Sequence, residues 1–328
     1  MELKQGSIVK ILIFLLVGLI FVVSMIAYSN SRSAREGRLV EDGWIREGLG
    51  GDEVQRRIER VFDVKPSGDL TVDTDAGSVL VDSWDKDQVS VEVEMKGDEH
   101  ELKRFKVEFS SDDSSVTVVG KERDRFFTWH WQSSDIVFRI KVPMNFRPRV
   151  STSGGDVDIR GIHANVRCET SGGNVKLASI VGDVYGETSG GDVSLRGIKG
   201  DVQAHTSGGD VRVDSVLGSV NVGTSGGEVV LLRIDGKIFG ETSGGNIEAR
   251  LLGENRGVHL ETSGGSISLY VPNSIAANVE ASTSGGSVKC DLPILVTGTI
   301  SEDELHGKVN GGGNRIELST SGGNINIR

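Results

Sequence analysis

The chain has 328 residues, 45 of them glycine and only 5 proline, with 5% aromatics and a formal net charge of −11. Glycine in that amount without a collagen period points to regularly spaced turns, and so to repeats. The acidic balance argues against nucleic acid and bare anionic lipid as partners, since both need a basic stripe, and none is visible.

In chain order, residues 1–10 are a short tail, expected on the cytoplasmic side. Residues 11–28, ILIFLLVGLIFVVSMIAY, are an uninterrupted apolar run of about the length that crosses a bilayer as one helix. A cleaved signal peptide more often has a shorter apolar core and a clear small-x-small site, so an uncleaved anchor is expected. No cysteine follows the run, which excludes a lipoprotein. Lys4 and Lys10 precede the span and Arg32, Arg35 and Arg38 follow it, so flanking charge does not choose the orientation. The long region after the span is what export would serve, and it is expected outside the membrane. Residues 29–60, with Gly-Leu-Gly-Gly and the polar stretch DEVQRRIER, read as a stalk with at most one marginal helix.

Residues 61–150 alternate apolar and polar side chains between turn clusters, as in GDLTVDTDAGSVLVDSWDKDQVSVEVEM, and read as five or six longer strands. Within them RFFTWHWQ gathers Phe126, Phe127, Trp129, His130 and Trp131. Exposed, that cluster would be a binding or membrane-contact patch. Buried, it would plug the end of a stack of coils, whose edge and core need cover. The cap is the preferred reading.

From residue 151 to 328 the repeat is explicit. Thr-Ser-Gly-Gly starts at Thr152, Thr170, Thr188, Thr206, Thr224, Thr242, Thr262, Thr283 and Thr320, first at a period of 18 and then at 20, 21 and 37. Five places after the threonine stand Val157, Val175, Val193, Val211, Val229, Ile247, Ile267, Val288 and Ile325. A β-branched column of this kind arises when like side chains stack in successive coils about 4.8 Å apart. Each unit is then two short strands and two turns, and the fold class is an all-β, single-chain β-solenoid of about 18 residues per coil behind one transmembrane helix. The turn glycines come in pairs: Gly154 and Gly155, Gly172 and Gly173, Gly190 and Gly191, Gly208 and Gly209, Gly226 and Gly227, Gly244 and Gly245. They are expected to supply positive φ where the chain turns sharply. Alternation puts each threonine at the rim of the core, its hydroxyl bonded to turn backbone.

The recurring TSGGDV and TSGGNV, the preceding VFRIKVP and the opening VFDVKPSGDLTVDTDAGSV resemble the bacterial family of β-solenoid proteins named putative adhesins, a domain of unknown function known as DUF4097. The likeness covers roughly residues 60–328. It implies an anchored or exported envelope protein with a solenoid fold. The 37-residue gap between Thr283 and Thr320 departs from that pattern.

Candidate chemistry is sparse. The column Asp156, Asn174, Asp192, Asp210, Glu228, Asn246, Ser266, Ser287 and Asn324 could suggest stacked calcium ligands. Its serines cannot replace carboxylates, and turn preference explains the acids better. Ice binding would want two outward threonines per coil, and there is one, directed inward. A carbohydrate-cleaving β-helix would need long loops gathering acids and bases, but the repeat turns are short, and His163, His205, His259 and His306 fall at different offsets. Cys168 and Cys290 match no metal spacing and, many coils apart, are both expected as free core thiols.

No catalytic residue, metal or cofactor is expected. The expected function is a membrane-anchored, extracytoplasmic adhesion, sensing or scaffold module of the cell envelope. A polymerising scaffold resembling bactofilins is the alternative, and an enzyme a weaker one. Partners are the membrane, through residues 11–28, and an envelope polymer or protein, with a homo-oligomer as a further arrangement.

Overall fold

The computed structural model describes residues 37–46, 53–122, 135–296 and 301–328. The apolar run 11–28 and the aromatic residues Phe126, Phe127, Trp129, His130 and Trp131 lie outside the described residues. Among the described residues no helix is long and apolar enough to cross a membrane.

The chain is all-β. Before the repeat come β1 (Arg38–Arg46), β2 (Glu53–Asp63), β3 (Ser67–Thr74), β4 (Ser78–Trp84), β5 (Gln88–Asp98), β6 (Phe105–Ser111), β7 (Ser115–Glu122), β8 (Asp135–Pro143) and β9 (Asn145–Thr152). Helix α1 (Glu99–Arg104), capped by the Asp98 carboxylate, joins β5 to β6. The coils follow in pairs: β10 (Val157–Arg160) and β11 (Val166–Thr170), β12 (Val175–Val181) and β13 (Val184–Thr188), β14 (Val193–Lys199) and β15 (Val202–His205). Next are β16 (Val211–Leu217) and β17 (Val220–Thr224), β18 (Val229–Asp235) and β19 (Ile238–Thr242), β20 (Ile247–Leu251) and β21 (Val258–Thr262). The chain ends with β22 (Ile267–Tyr270), β23 (Ala277–Thr283), β24 (Val288–Cys290), β25 (Ile294–Val296), β26 (Glu304–Val309), β27 (Arg315–Thr320) and β28 (Ile325–Ile327).

Two 14-stranded sheets face each other. Sheet I runs β1-β2-β5-β8-β4-β10-β12-β14-β16-β18-β20-β22-β28-β24, and sheet II runs β25-β26-β23-β27-β21-β19-β17-β15-β13-β11-β9-β3-β7-β6. The β-branched column is a register line: Val157 pairs with Val175, Val175 with Val193, Val193 with Val211, Val211 with Val229 and Val229 with Ile247. These residues, like Leu177, Leu195 and Val213 two places on, are 0–1% exposed and fill a narrow core between the sheets.

The threonine hydroxyls hold successive coils together. Thr188 Oγ1 donates to the Gly173 carbonyl at 2.7 Å and Thr206 Oγ1 to that of Gly191 at 2.8 Å, one coil below. Each oxygen also accepts from the second glycine of its own turn, as from Gly209 N–H at 3.3 Å. A buried polar side chain is tolerated because its donor and acceptor are both used.

The paired glycines have a different cause from the one expected. None of the twelve lies in the left-handed region. The second of each pair is glycine because coils pass too close for a side chain: a Cβ on Gly173 would sit 2.1 Å from the Gly155 carbonyl oxygen, and one on Gly191 2.2 Å from that of Gly173. The first is roomier, with nothing within 4 Å of a Cβ on Gly154 and the nearest atom 3.8 Å away at Gly172, narrowing to 3.1 Å at Gly244. Positive φ occurs at the opposite bend, at Gly161, Ser179, Gly197, Ser215 and Arg233.

Three further points differ from the sequence reading. First, a coil precedes Thr152: Thr74 pairs with Thr152 and Val79 with Val157, so Thr-Asp-Ala-Gly-Ser-Val at 74–79 is a worn version of the repeat. Second, the segment expected as a stalk with at most one marginal helix is strand β2, paired along its length with β5 and β1. Val54, Ile58 and Phe62 are buried, a spacing of four that mimics a helix. Arg56 and Arg60 fill the intervening same-side positions of the strand, over the rings of Trp44 and Phe109 at 5.2 and 5.0 Å.

Third, the last coil is out of chain order. Strand β27 lies between β21 and β23, and β28 between β22 and β24, so the Thr320 coil sits between those of Thr262 and Thr283. Cys290 is accordingly half-buried, not a core residue, because β24 is the last strand of sheet I, whereas Cys168 is fully buried. Both are free thiols.

Candidate binding face

The acidic turn column has a backbone role. Asn174 N–H donates to Asp156 Oδ1 at 2.7 Å, Asp192 N–H to Asn174 Oδ1 at 2.9 Å and Asp210 N–H to Asp192 Oδ1 at 2.8 Å. Each side chain caps the amide of its counterpart one coil on. The ladder falters at Glu228, whose longer side chain meets only the Asn246 amide group, at 3.2 Å. Among the described residues no group of three or more His, Cys, Asp or Glu could hold a metal ion.

The other corner repeats the device, a signal the TSGG register had hidden. Asn165 Oδ1 accepts from Asp183 N–H at 2.9 Å, Asp183 Oδ1 from Asp201 N–H at 3.0 Å and Asp201 Oδ1 from Ser219 N–H at 2.8 Å. Beside this corner, on the outer surface of sheet II, one register line consists wholly of planar side chains. Arg149, Arg167, Tyr185, Gln203, Asn221, Phe239 and His259 succeed one another strand by strand.

The planar groups stack where they are large. The Arg167 guanidinium lies 4.0 Å from the Tyr185 ring centroid, and the Phe239 and His259 rings are 4.9 Å apart with 10° between their planes. Neighbouring acids fix their orientation: Arg167 bonds Glu169, Tyr185 donates its hydroxyl to Glu187, and His259 Nδ1 is 3.1 Å from Glu317 Oε2. Partial burial and the Glu187 bond push the Tyr185 hydroxyl well above the usual tyrosine range, so it stays a donor at any physiological pH.

Between the planar column and the corner column runs a trough of about 750 Å³ along the rod axis, from Arg147 on β9 to Phe239 on β19. Buried Val166, Val184, Val202 and Val220 form its floor. Of the four candidate histidines His163, His205, His259 and His306, His259 ends the planar column. His205 leans toward Glu241 over Gly223, where a Cβ would meet both at 3.1 Å. His306, on β26, bonds Glu304 at 2.7 Å, and His163 stands apart at the opposite bend. The structure does not bring them together.

Several solved structures are similar to the chain at low identity. A putative adhesin from Bacteroides fragilis is 15% identical, covers 83% of this chain and 97% of its own, and superposes with a TM-score of 0.42. A putative cell adhesion protein from Clostridium sporogenes is 16% identical over 82% of this chain and 97% of its own, with a TM-score of 0.21. A putative lipid binding protein from Parabacteroides distasonis is 15% identical over 83% and 96%, with a TM-score of 0.38. No curated protein matches the chain. Residues 68–328 match the family described as Toastrack DUF4097, and the chain belongs to that family.

Proposed function

We propose that the chain is a membrane-anchored, extracytoplasmic β-solenoid that serves the cell envelope as a non-catalytic adhesion module. The observation that carries this reading is the axial trough on sheet II, whose valine floor is flanked by two rows of side chains that repeat with the coils. Binding is favoured over catalysis because Asp183 and Asp201, the acids along it, each spend an oxygen on a backbone amide. The apolar run 11–28, which ends ten positions before β1 begins at Arg38, supports an anchor at the N-terminal end of the rod. A polymerising scaffold is disfavoured because antiparallel strands interrupt the parallel stack at the N-terminal end of both sheets, at β5 and β6, and at the C-terminal end of sheet II, at β26.

The test has two parts. Protease added to spheroplasts should digest residues 61–328, and full-length chain in detergent should be retained on isolated envelopes. Complete protection of the rod would contradict the orientation, and absence of retention would contradict adhesion.

A further inference from the structure

We propose that the sheet II trough binds a linear, uncharged, hydroxyl-rich polysaccharide laid along the rod axis, an inference that rests on the adhesion reading above. Its walls are two rows of polar groups in step with each other, one row being Arg167, Tyr185, Gln203 and Asn221 and the other the corner column. Successive groups in each row are one strand apart, about 4.8 Å. That repeat is close to the length of one pyranose unit in an extended glycan. A β-strand peptide presents same-side groups about every 6.7 Å and falls out of step within two coils.

The hydrogen-bonding inventory suits hydroxyl groups. Arg167 and Tyr185 are held by Glu169 and Glu187, whereas the side-chain amides of Gln203 and Asn221 have no partner among the described residues and can both donate and accept. Across the trough, Asp183 and Asp201 cap with Oδ1, and among the described residues no hydrogen bond to their Oδ2 atoms is found. Arg147 and Arg167 are paired with Asp69 and Glu169, and of the other charges along the trough Arg149 and Lys237 balance Asp183 and Asp201, so no net charge selects a charged polymer. From β9 to β19 the trough crosses five strand steps, about 24 Å, enough for roughly five sugar units. Arg167 and Tyr185, in contact with each other and bonded to Glu169 and Glu187, are already ordered, so little of their rotamer freedom is lost when a ligand arrives.

The test titrates full-length chain in detergent with uncharged β-1,4-linked hexasaccharides of glucose and of N-acetylglucosamine, the corresponding trisaccharides, and polygalacturonate. The proposal expects a neutral hexasaccharide to bind, its trisaccharide to bind more weakly, and the double variant Gln203→Ala with Asn221→Ala to lose about ten-fold in affinity. Both positions are exposed, so the circular dichroism and melting temperature of the variant should match those of the parent chain. Equal binding by parent and variant, or a preference for polygalacturonate, would overturn the proposal. Failure of every neutral hexasaccharide while the chain is still retained on envelopes would overturn it and leave adhesion standing. Loss of envelope retention would remove the adhesion reading itself.

Discussion

The coils from Thr152 to Thr262 stack in space in the order they occupy in the chain, whereas each end of the rod contains a coil out of order. At the N-terminal end β7 and β8 lie between the coil of β3 and β4 and the antiparallel strands β6 and β5. At the other end β27 and β28 lie between the coils of Thr262 and Thr283, and β26 runs antiparallel on β23. Parallel stacking adds one coil at a time and never closes its own edge. Covering an end needs a strand of reversed direction, and the chain that makes it must come back and pair inside. The middle is thus free to present long register lines on its surface, while reversed strands flank both sheets at the N-terminal end and sheet II at the other.

The ends also differ from the middle in their cores. The middle is filled by Val, Ile and Leu. The N-terminal end takes Phe105 and Phe138, whose ring centroids are 6.5 Å apart. There Gly120 stands opposite Thr74 in register, and a Cβ on it would meet Phe105 at 2.8 Å and Phe138 at 3.0 Å. A threonine ladder and a phenylalanine core exclude each other at that position.

Deleting residues 312–328 attacks the contrast most strongly. Ile316, Leu318, Ile325 and Ile327 are 0–1% exposed, and burying each is worth about 1.5–3 kcal/mol. The melting temperature should fall sharply, with hydrogen-exchange protection lost in β21 to β24 and retained in β12 to β18. Uniform loss along the rod would mean that the ends are not separate closures.

Within the middle, the two glycines of one turn should behave unequally. Gly191→Ala places a methyl 2.2 Å from the Gly173 oxygen and should cost about 3 kcal/mol in denaturant unfolding. Gly190→Ala, with 3.6 Å to its nearest neighbours, should change stability by less than about 0.5 kcal/mol. Equal effects would return the glycine pair to a question of backbone conformation.

A smaller loss is expected for Thr206→Val, which leaves the Gly191 carbonyl without its donor at about 1–2 kcal/mol. Thr206→Ser should recover most of it. If valine proves neutral, the hydroxyl ladder is not a source of stability.

The cysteines sharpen the comparison without altering stability. Complete burial raises the Cys168 thiol far above its usual range, and partial burial raises Cys290 less severely. A bulky maleimide should therefore modify Cys290 on the end strand well before Cys168, and both rapidly in denaturant. They stand at least seven strand steps apart, on the order of 34 Å, so an intramolecular disulfide would contradict the stack.

The middle was legible in the sequence because identical threonines and β-branched residues at a fixed offset can satisfy only one register. The coil at Thr74 was harder to see, since Asp75 and Ala76 replace the serine and first glycine and only Thr74, Gly77 and Val79 keep the pattern. The placement of the Thr320 coil was not legible at all. Its threonine and Ile325 would match the columns of either neighbour, so what decides the order is which edge remains open, a property of the assembled stack. The Arg56 and Arg60 alternation disguised β2 as a helix. Of the binding face, Tyr185, Gln203, Asn221 and Phe239 share an offset, but their types differ, and repeat analysis discards what does not repeat.

The order of the coils at the C-terminal end is open to a direct measurement. In a Cys290→Ala background, Ser268→Cys with Asn326→Cys places two thiols on paired residues of adjacent strands β22 and β28. Ser268→Cys with Lys289→Cys places them on β22 and β24, two strand steps apart with β28 between, about 9.6 Å and beyond the roughly 7 Å Cα limit for a disulfide. Mild oxidation should cross-link the first pair and leave the second reduced. Cross-linking of the second pair but not the first would mean that the coils stack in chain order, and would contradict the displaced closing coil.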